Sequence, residues 1–436
     1  MLLPPDADVV VVGAGLTGAS TALHLAEQRP ELEIVLLEAD QVAAGASGRG
    51  TGLLGPRLGP PIDIARRRDG DQLARRRHLD SVAAVERVRA LAGRWAPQAI
   101  SPATGQLVVA QTAAEASLLR RRARTYAALG LDVSLAVTDE PWAAATRTAL
   151  AYAPAASVDP GLLTRGLVTA AIDLGVQLFE QTPVLGLEPG SVGHSLKVVA
   201  RRGSITARAV VLAVDVTRHP GSLPVTPGQL ALQVTASVTD PLPEDLIAEL
   251  GGPTAPHILS AAALGPYRRL TADGRIVIGG GPAAVLAGAT SRTLAAAERN
   301  AWAWQRRQLD AVHPALATVA ISRCWSGRIS LTRDGLPQVG RLAPPGLPST
   351  AEVWSAGGWN GHGLAATVAA GQLCVYRGLS ATAEPPLRPI SWPLATHPAA
   401  PIVRAALRLS TPAAPASRSR GPKSFEGQPG ATSYSS

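Results

Sequence analysis

The sequence predicts an α/β fold in which a parallel sheet with intervening helices is interrupted twice by strand-rich segments. Three observations predict it. The apolar run Asp8-Val9-Val10-Val11-Val12 meets glycines at Gly13, Gly15 and Gly18 and continues into a helical run through Ala22, Leu23 and Leu25. A second apolar run, Ile34-Val35-Leu36-Leu37, ends on Glu38 and Ala39. Strand-like stretches with turns between them then recur at 104–137 and at 229–281, on either side of a return to apolar strand at 207–213. Apolar runs joined by helices read as parallel strands, and strand-turn-strand stretches as an antiparallel unit.

The first element carries the chemistry. Gly13-Ala14-Gly15-Leu16-Thr17-Gly18 is a G-x-G-x-x-G turn between a strand and a helix. Gly13 allows the sharp turn, Gly15 the approach of backbone N–H groups to a pyrophosphate, and Gly18 close packing of helix on sheet. The phosphates then meet a helix N-terminus, where free N–H groups and the dipole favour negative charge. Glu38, 20 residues past Gly18, stands where an acid accepts hydrogen bonds from ribose hydroxyls. An ordinary strand-to-helix turn is the competing reading. The strand before, the helix after and the acid at the required distance weigh against it, and a Rossmann-like dinucleotide site is expected.

Composition bounds the rest. At 436 residues, with 46% apolar and 17% charged residues, the chain is globular and long enough for two domains. The net charge of +9 is basic, but 39 of the 41 basic residues are arginine, and Lys197 and Lys423 are the only lysines. The runs Arg66–Arg68, Arg75–Arg77 and Arg120–Arg122 fall in helix-like stretches without interleaved aromatics, which reads as solvated helix surface and not as a nucleic-acid patch. Two cysteines, Cys324 and Cys374, exclude a disulfide framework and fit a reducing, cytoplasmic setting. The N-terminus lacks a basic segment ahead of its apolar run, so no signal peptide is expected, and no apolar stretch reaches the length of a membrane span. The histidines are scattered and support no metal site.

In chain order, the small-residue segment Gly45-Ala46-Ser47-Gly48-Arg49 can wrap a diphosphate with backbone N–H groups, with Arg49 adding a fixed charge. Residues 62–95 read as one long helical region, with Leu79, Val82, Val85 and Val88 at helical spacing. Strand 105–110, helix 113–129 and strand 132–137 form the first excursion. Asp159 is the expected N-cap, with Pro160 first in the helix that follows. Strands at 177–184, 195–200 and 207–213 return to the parallel sheet. Those at 229–238 and 267–281, followed by helix 295–309, make the second excursion. Residues 323–356 bring the chain back, and Gly357-Gly358-Trp359-Asn360-Gly361-His362-Gly363-Leu364 opens a last apolar helix. The expected division is therefore a nucleotide-binding domain at 6–100, 152–220 and 320–395 and a substrate domain at 101–151 and 221–319. A Pro/Ala/Ser/Arg-rich tail at 396–436 has the composition of a disordered segment.

The segments Val9–Gly18 with Glu38, Gly45–Arg49, Tyr267–Gly281, Trp325–Gly340 and Gly357–Leu364, in this order, resemble the D-amino-acid-oxidase-like family of FAD-dependent amine and amino-acid oxidases. Within that family, Gly-Ala-Ser-Gly-Arg and Thr-Arg-Asp-Gly-Leu-Pro are most similar to the gamma-glutamylputrescine oxidase branch. The resemblance implies an α/β FAD-binding domain of the glutathione-reductase type with an inserted, mainly antiparallel α+β substrate domain. It implies that Gly13, Ala14, Gly15, Leu16, Thr17 and Gly18 hold the pyrophosphate, and Glu38 and Ala39 the adenosine ribose. It places Ser47, Gly48 and Arg49 along the diphosphate and flavin edge, and the backbone of Val184 against adenine. Gly358, Trp359, Asn360, Gly361, His362, Gly363 and Leu364 are assigned to the pyrimidine end of the flavin. A helix N-terminus there stabilises the charge that arises on reduction.

The reaction implied is hydride transfer from the C–H beside an amine to the flavin, with oxygen as acceptor and hydrogen peroxide as product. A small-molecule amine or amino acid is the expected partner. Tyr267, Trp325 and His362 are the candidate contacts with substrate or flavin face, and Arg268 and Arg269 the candidates for a distant carboxylate, at least one of them expected at the surface. Cys324 is a candidate for covalent flavin attachment, against the commoner role of a small buried thiol. Two departures matter. Sarcosine-oxidase relatives carry a lysine on the strand that here reads Arg275-Ile276-Val277-Ile278-Gly279, and another where Ala365 stands. The first absence leaves open a dehydrogenase with another electron acceptor, and the second points to an amine whose charge or carboxylate lies elsewhere rather than a simple N-methyl amino acid. A non-catalytic flavoprotein subunit is the other reading.

Overall fold

A computed structural model describes residues 2–101, 105–191, 195–215, 228–344 and 346–378, with side chains described as far as 371. The chain opens with β1 (Asp6–Val12), α1 (Leu16–Gln28) and β2 (Ile34–Leu37), then the one-turn α2 (Ala46–Arg49) and the short β3 (Leu53–Leu54). Helices α3 (Ile62–Asp69) and α4 (Asp71–Trp95) lead through β4 (Ile100–Ser101) and β5 (Gln106–Val109) to α5 (Ala113–Ala128) and β6 (Val133–Val137). Next come β7 (Thr148–Tyr152), β8 (Ala156–Val158), α6 (Pro160–Asp173) and β9 (Gln177–Phe179). A meander of β10 (Val184–Pro189), β11 (Leu196–Ala200) and β12 (Gly203–Leu212) follows. After it come β13 (Gln229–Thr239), α7 (Glu244–Glu249), β14 (His257–Ser260), β15 (Tyr267–Leu270), β16 (Ile276–Gly279), β17 (Ala284–Val285) and α8 (Ser291–Asp310). The last elements are β18 (Ile321–Thr332), β19 (Gln338–Leu342), β20 (Glu352–Gly357) and α9 (Gly363–Gly378).

The parallel core is β9-β2-β1-β12-β20, with β10 and β11 joining antiparallel along the first half of β12 and β19 along β20. Val9 and Val11 of β1 enter a core made with α1, α4, α6 and α9, while Val10 and Val12 enter a second core on the other face. Burial on both faces is why β1 is an unbroken valine run and not an alternating one. The second large sheet runs β17-β13-β16-β15-β14-β5-β7-β6, with β18 along the free side of β13, and is antiparallel except where β14 pairs β5. One face packs on α8, burying Ile276, Ile278 and Leu309. The fold is thus a Rossmann-like parallel domain with a mainly antiparallel sheet inserted into it. A small sheet, β3-β8-β4, lies at the crossing points between the two.

Local expectations fare unevenly. Asp159 caps α6 through Leu162 N–H, with Pro160 at the first helical position. The helical region 62–95 is two helices, broken at Gly70, whose φ of +85° no other residue adopts cheaply. Of its apolar positions, Leu79 is exposed while Val85 and Val88 are buried. The segment at 45–49 is a helical turn and not an open loop. The return to the parallel sheet comes later than 320: residues 321–332 pair along β13 in the antiparallel sheet, because their alternating pattern needs only one covered face. The short strands β7, β8 and β14 had no clear signal of their own. The 396–436 tail lies outside the described residues.

Candidate active site

The glycine turn is built as the spacing requires. A methyl group on Gly18 would lie 1.8 Å from the Gly13 carbonyl oxygen, and one on Gly13, at φ +102°, 2.8 Å from that of Ala213. Gly15 is the N-cap of α1, supplies no side chain, and leaves the first turn without an acid. The N–H of Ala14 is met by Glu38 Oε2 at 2.7 Å, and that of Leu16 by Ser47 Oγ at 2.8 Å. The acid, the serine and the helix N-terminus therefore converge, with Thr17 buried behind them. Ala39 follows the acid directly. Val184 opens β10 two residues after Thr182, whose N–H donates to Glu38 O. Gly48 packs on the Ala43 carbonyl, where a methyl group would sit at 2.1 Å.

Strand β18 joins this cradle to the second glycine turn. Its register against β13 puts Trp325, Gly327, Ile329 and Leu331 on one face. Trp325 Nε1 donates to Arg49 O at 2.9 Å, Gly327 lies under Arg49, and Ile329 lies under Gly361. Arg49 in turn donates to Ala44 O and Ser326 O. At the end of β18, Ser330 Oγ donates to Asp215 Oδ1 at 2.6 Å and accepts from Trp359 N–H, while Gly358 N–H donates to the same carboxylate. Asn360 Oδ1 accepts from Thr332 N–H at 2.8 Å, and its Nδ2 donates to Gly358 O. Gly358, Asn360 and Gly361 all have positive φ, which glycine and asparagine tolerate best. The turn then delivers Gly363 and Leu364 into the N-terminus of α9.

Across the sheet, Tyr267 pairs Gly279, Gly279 pairs Ala236 and Ala236 pairs Trp325. Two aromatic residues thus bound a row whose interior positions are glycine and alanine, roughly 14 Å apart at ordinary strand spacing. The Tyr267 ring lies over Gly279, where a methyl group would meet its hydroxyl at 2.2 Å, and that hydroxyl bonds the Thr51 side chain. Burial raises the phenol above its usual pKa, so it stays protonated.

The charges nearby are unevenly balanced. Arg268 and Glu140 form a buried pair at 2.6 Å on the α8 side of the sheet. Arg269, on the opposite side, donates to Thr51 O, packs on Gly52, and is lowered to a pKa of about 10 by burial. Arg268 is buried and Arg269 half-buried, so neither lies openly at the surface, contrary to expectation; strand alternation sends them to opposite faces of the sheet. His257 is buried, with Nε2 2.8 Å from Ser157 Oγ and Nδ1 unpartnered; burial, then the Arg269 charge, lower it to about 3. His362 Nδ1 lies 2.7 Å from Asn360 O and Nε2 2.6 Å from Arg57 Nη1. Burial, then Arg57, hold its pKa at about 3.

Cys324 lies on the face of β18 opposite Trp325 and is exposed, so it is not the small buried thiol of the commoner role. Its sulfur lies 3.7 Å from Ser237 Oγ, which donates to Gln305 of α8, whereas Trp325 turns to Arg49. The structure also adds residues that the sequence reading passed over: Arg57, Asp215, Ser330, Ile329 and His257. Period-two alternation from Trp325 would have found Ile329. Arg57 had no signal among so many arginines.

The residues present fit a dinucleotide. Each glycine of the first turn lacks room for a side chain, and α1 begins without a capping side chain or acid of its own. The chain matches DAO, the FAD dependent oxidoreductase family, over residues 8–377. It is 29% identical to gamma-glutamylputrescine oxidoreductase of Escherichia coli (strain K12) over 375 residues, covering 84% of this chain and 82% of the relative. Its fold is similar to glycine oxidase from Geobacillus kaustophilus, with TM-score 0.67 and 19% identity, covering 86% of this chain and 95% of that one. It is likewise similar to L-proline dehydrogenase from P. horikoshii, with TM-score 0.63 and 20% identity, covering 86% and 93%. Among the described residues, no helix is long and apolar enough to cross a membrane.

Proposed function

Because the chain belongs to the DAO family of FAD-dependent oxidoreductases, we propose that it oxidises the C–H beside the nitrogen of an amine or amino acid to an imine, which water hydrolyses. When bound, FAD supplies the hydride acceptor and, in an oxidase, hands the electrons to oxygen to give hydrogen peroxide. Gly13 to Gly18 would hold the pyrophosphate at the N-terminus of α1, and Glu38 with Ala39 the adenosine ribose. The Val184 backbone would meet adenine. Ser47, Gly48 and Arg49 would lie along the diphosphate, and Gly358 to Leu364 would face the pyrimidine end of the ring. The E. coli relative, named for an amine substrate, supports the same direction. The pair of cysteines supports a cytoplasmic location.

The observation that carries this reading is the single face of β18, which touches Arg49 at one point and Gly361 at another. Both segments assigned to the cofactor are thereby set against the sheet that holds Tyr267 and Trp325. Those side chains shape the space and exclude water from it. Tyr267 stays protonated, and the His362 lone pair is engaged by Arg57. Neither is a free base, which suits hydride transfer from a neutral amine better than proton abstraction. The test is anaerobic bleaching of the yellow, FAD-loaded protein with a panel of amines and amino acids. A protein that binds FAD and that no compound bleaches would overturn the proposal. Acid precipitation of the same preparation should leave the flavin in the supernatant.

A dehydrogenase is the second reading, favoured by one observation. Strand β16 has no lysine, and the cation that precedes it, Arg275, turns to Asp273 at 2.8 Å and to Thr239 O. Nothing on that strand offers a positive charge to speed oxygen reduction. Peroxide yield against reduction of an artificial dye, measured on the substrate that bleaches the flavin, separates the two.

A further inference from the structure

The antiparallel sheet is interrupted beside Tyr267. Strand β16 pairs β13 as far as Gly279 opposite Ala236, and β17 resumes the pairing with Ala284 opposite Gln233. Val234 and Thr235 of β13 therefore face a longer stretch, Gly280 to Ala283, which bulges out of the ladder. Gly280 and Gly281 carry the bulge at φ +93° and +92°, where a side chain would be strained. A methyl group on Gly280 would lie 2.2 Å from the Gly265 carbonyl oxygen, and one on Gly281 2.5 Å from the Trp304 ring of α8. Gly281 N–H donates to Leu264 O at 2.7 Å. The bulge is thus pressed between α8 and the turn that leads into Tyr267.

Regular pairing would set Thr235 opposite Gly280 and join the strands by their own N–H and carbonyl groups. Here a side chain does it. Gln305 of α8, fully buried, donates from Nε2 to Thr235 O at 3.0 Å and to Gly280 O at 3.1 Å, with Thr235 Oγ1 at 2.9 Å. Its Oε1 accepts from Ser237 Oγ at 2.5 Å. One carboxamide bridges the two carbonyls that the bulge separates, and both of its ends are satisfied. A buried amide is costly unless bonded in this way. The bonds to Thr235, Ser237 and Gly280 bracket Ala236 and Gly279, the interior positions of the row between Trp325 and Tyr267.

We propose that Gln305 is a positioning residue for the substrate face: it replaces the missing ladder at the bulge and, by holding Gly280, fixes Gly279 and the Tyr267 ring that lies on it. Gln305 works from the α8 side of the sheet and touches no reacting atom. Its effect passes through the backbone. Two consecutive glycines left unbraced would let Gly279 shift, and the Tyr267 ring, with its hydroxyl bonded to the Thr51 side chain, would shift with it.

The inference rests on the amine-oxidation reading only where kinetics are measured, so its first readout is spectroscopic. FAD-loaded protein is labelled with 3-fluorotyrosine at its five tyrosines, and Tyr267→Phe identifies the Tyr267 signal in the fluorine-19 spectrum. Gln305→Met, which keeps length and apolar volume but not the bridge, should move or split that signal while flavin content stays at one per chain. Gln305→Glu, which keeps the shape and the bond from Ser237, serves if the methionine variant does not fold. Ser237→Ala, which leaves both carbonyls bridged, should leave Tyr267 in place. Leu309→Ala loosens the same helix away from the bulge and should lower the melting temperature without moving Tyr267. On an amine that bleaches the flavin, Gln305→Met should raise KM roughly 5- to 30-fold and change kcat less than about threefold. An unmoved Tyr267 signal in Gln305→Met would overturn the proposal, as would an equal displacement in Leu309→Ala or Ser237→Ala. A Tyr267 signal that moves only with Gln305, in a protein that no amine bleaches, would uphold the positioning role and sink only the oxidation reading.

Discussion

His362 and Arg57 form a hydrogen bond whose direction is set by the other nitrogen of the imidazole. Nδ1 lies 2.7 Å from the Asn360 carbonyl, which can only accept, so the proton is assigned to Nδ1 and Nε2 is left to accept from Arg57. A second ring proton would point at a guanidinium. We predict that His362 stays neutral down to about pH 5, which its pKa of about 3 requires. Nitrogen-15 NMR of the labelled imidazole checks this. A titration midpoint at or above pH 6 would show that the pair is not formed.

Gly18→Ala and Gly279→Ala should fail in different ways. The first puts a methyl group 1.8 Å from a backbone carbonyl, so α1 must move off the sheet at a cost of at least about 2 kcal/mol. Loss of bound FAD, read from the ratio of flavin to protein absorbance, should accompany the lower melting temperature. The second displaces only the Tyr267 ring and should leave FAD bound while raising KM for the amine. Equal flavin content in both variants would contradict this division.

The Arg268–Glu140 pair is buried on the α8 side, with Arg268 Nε and Glu140 Oε1 left without partners. Glu140→Gln or Arg268→Met alone strands a charge and should cost about 3–5 kcal/mol in urea unfolding. Replacing both, as Arg268→Met with Glu140→Leu, should regain most of that loss. If the double variant is as unstable as the worse single one, the pair is not the source of the penalty.

His257 makes stability depend on pH. Its folded pKa of about 3 lies below the ordinary 6.5, so between these values the unfolded chain binds the extra proton. Stability is therefore full above pH 6.5 and declines as pH falls, by about 1.4 kcal/mol per unit, or roughly 2–3 kcal/mol by pH 4.5. His257→Gln should flatten that decline. His362 adds a smaller share, being partly exposed. A variant with the wild-type slope would assign the acid sensitivity elsewhere.

What could be read from the sequence follows the range of the interactions. The cap at Asp159 was legible because capping is settled within four residues. The one long helix expected over 62–95 failed for a related reason: the apolar spacing continues across Gly70, but the backbone there turns left-handed. Residues 321–332 were assigned to the wrong sheet because a strand's own pattern shows that one face is covered, and not which sheet covers it.

By itself, then, the sequence determined the first turn: Gly13, Gly15, Gly18 and Glu38 encode a backbone path and an acid that need no distant partner to be recognised. Tertiary structure alone decided which residues share the site. Register along β13 turned Trp325 toward Arg49 and Cys324 toward α8. The same folding brought Arg57 within 2.6 Å of a histidine 305 positions away, with no ion-paired carboxylate among the described residues. Whether a charge is matched depends on contacts across the fold, and composition, which here offers arginine everywhere, carries no trace of them.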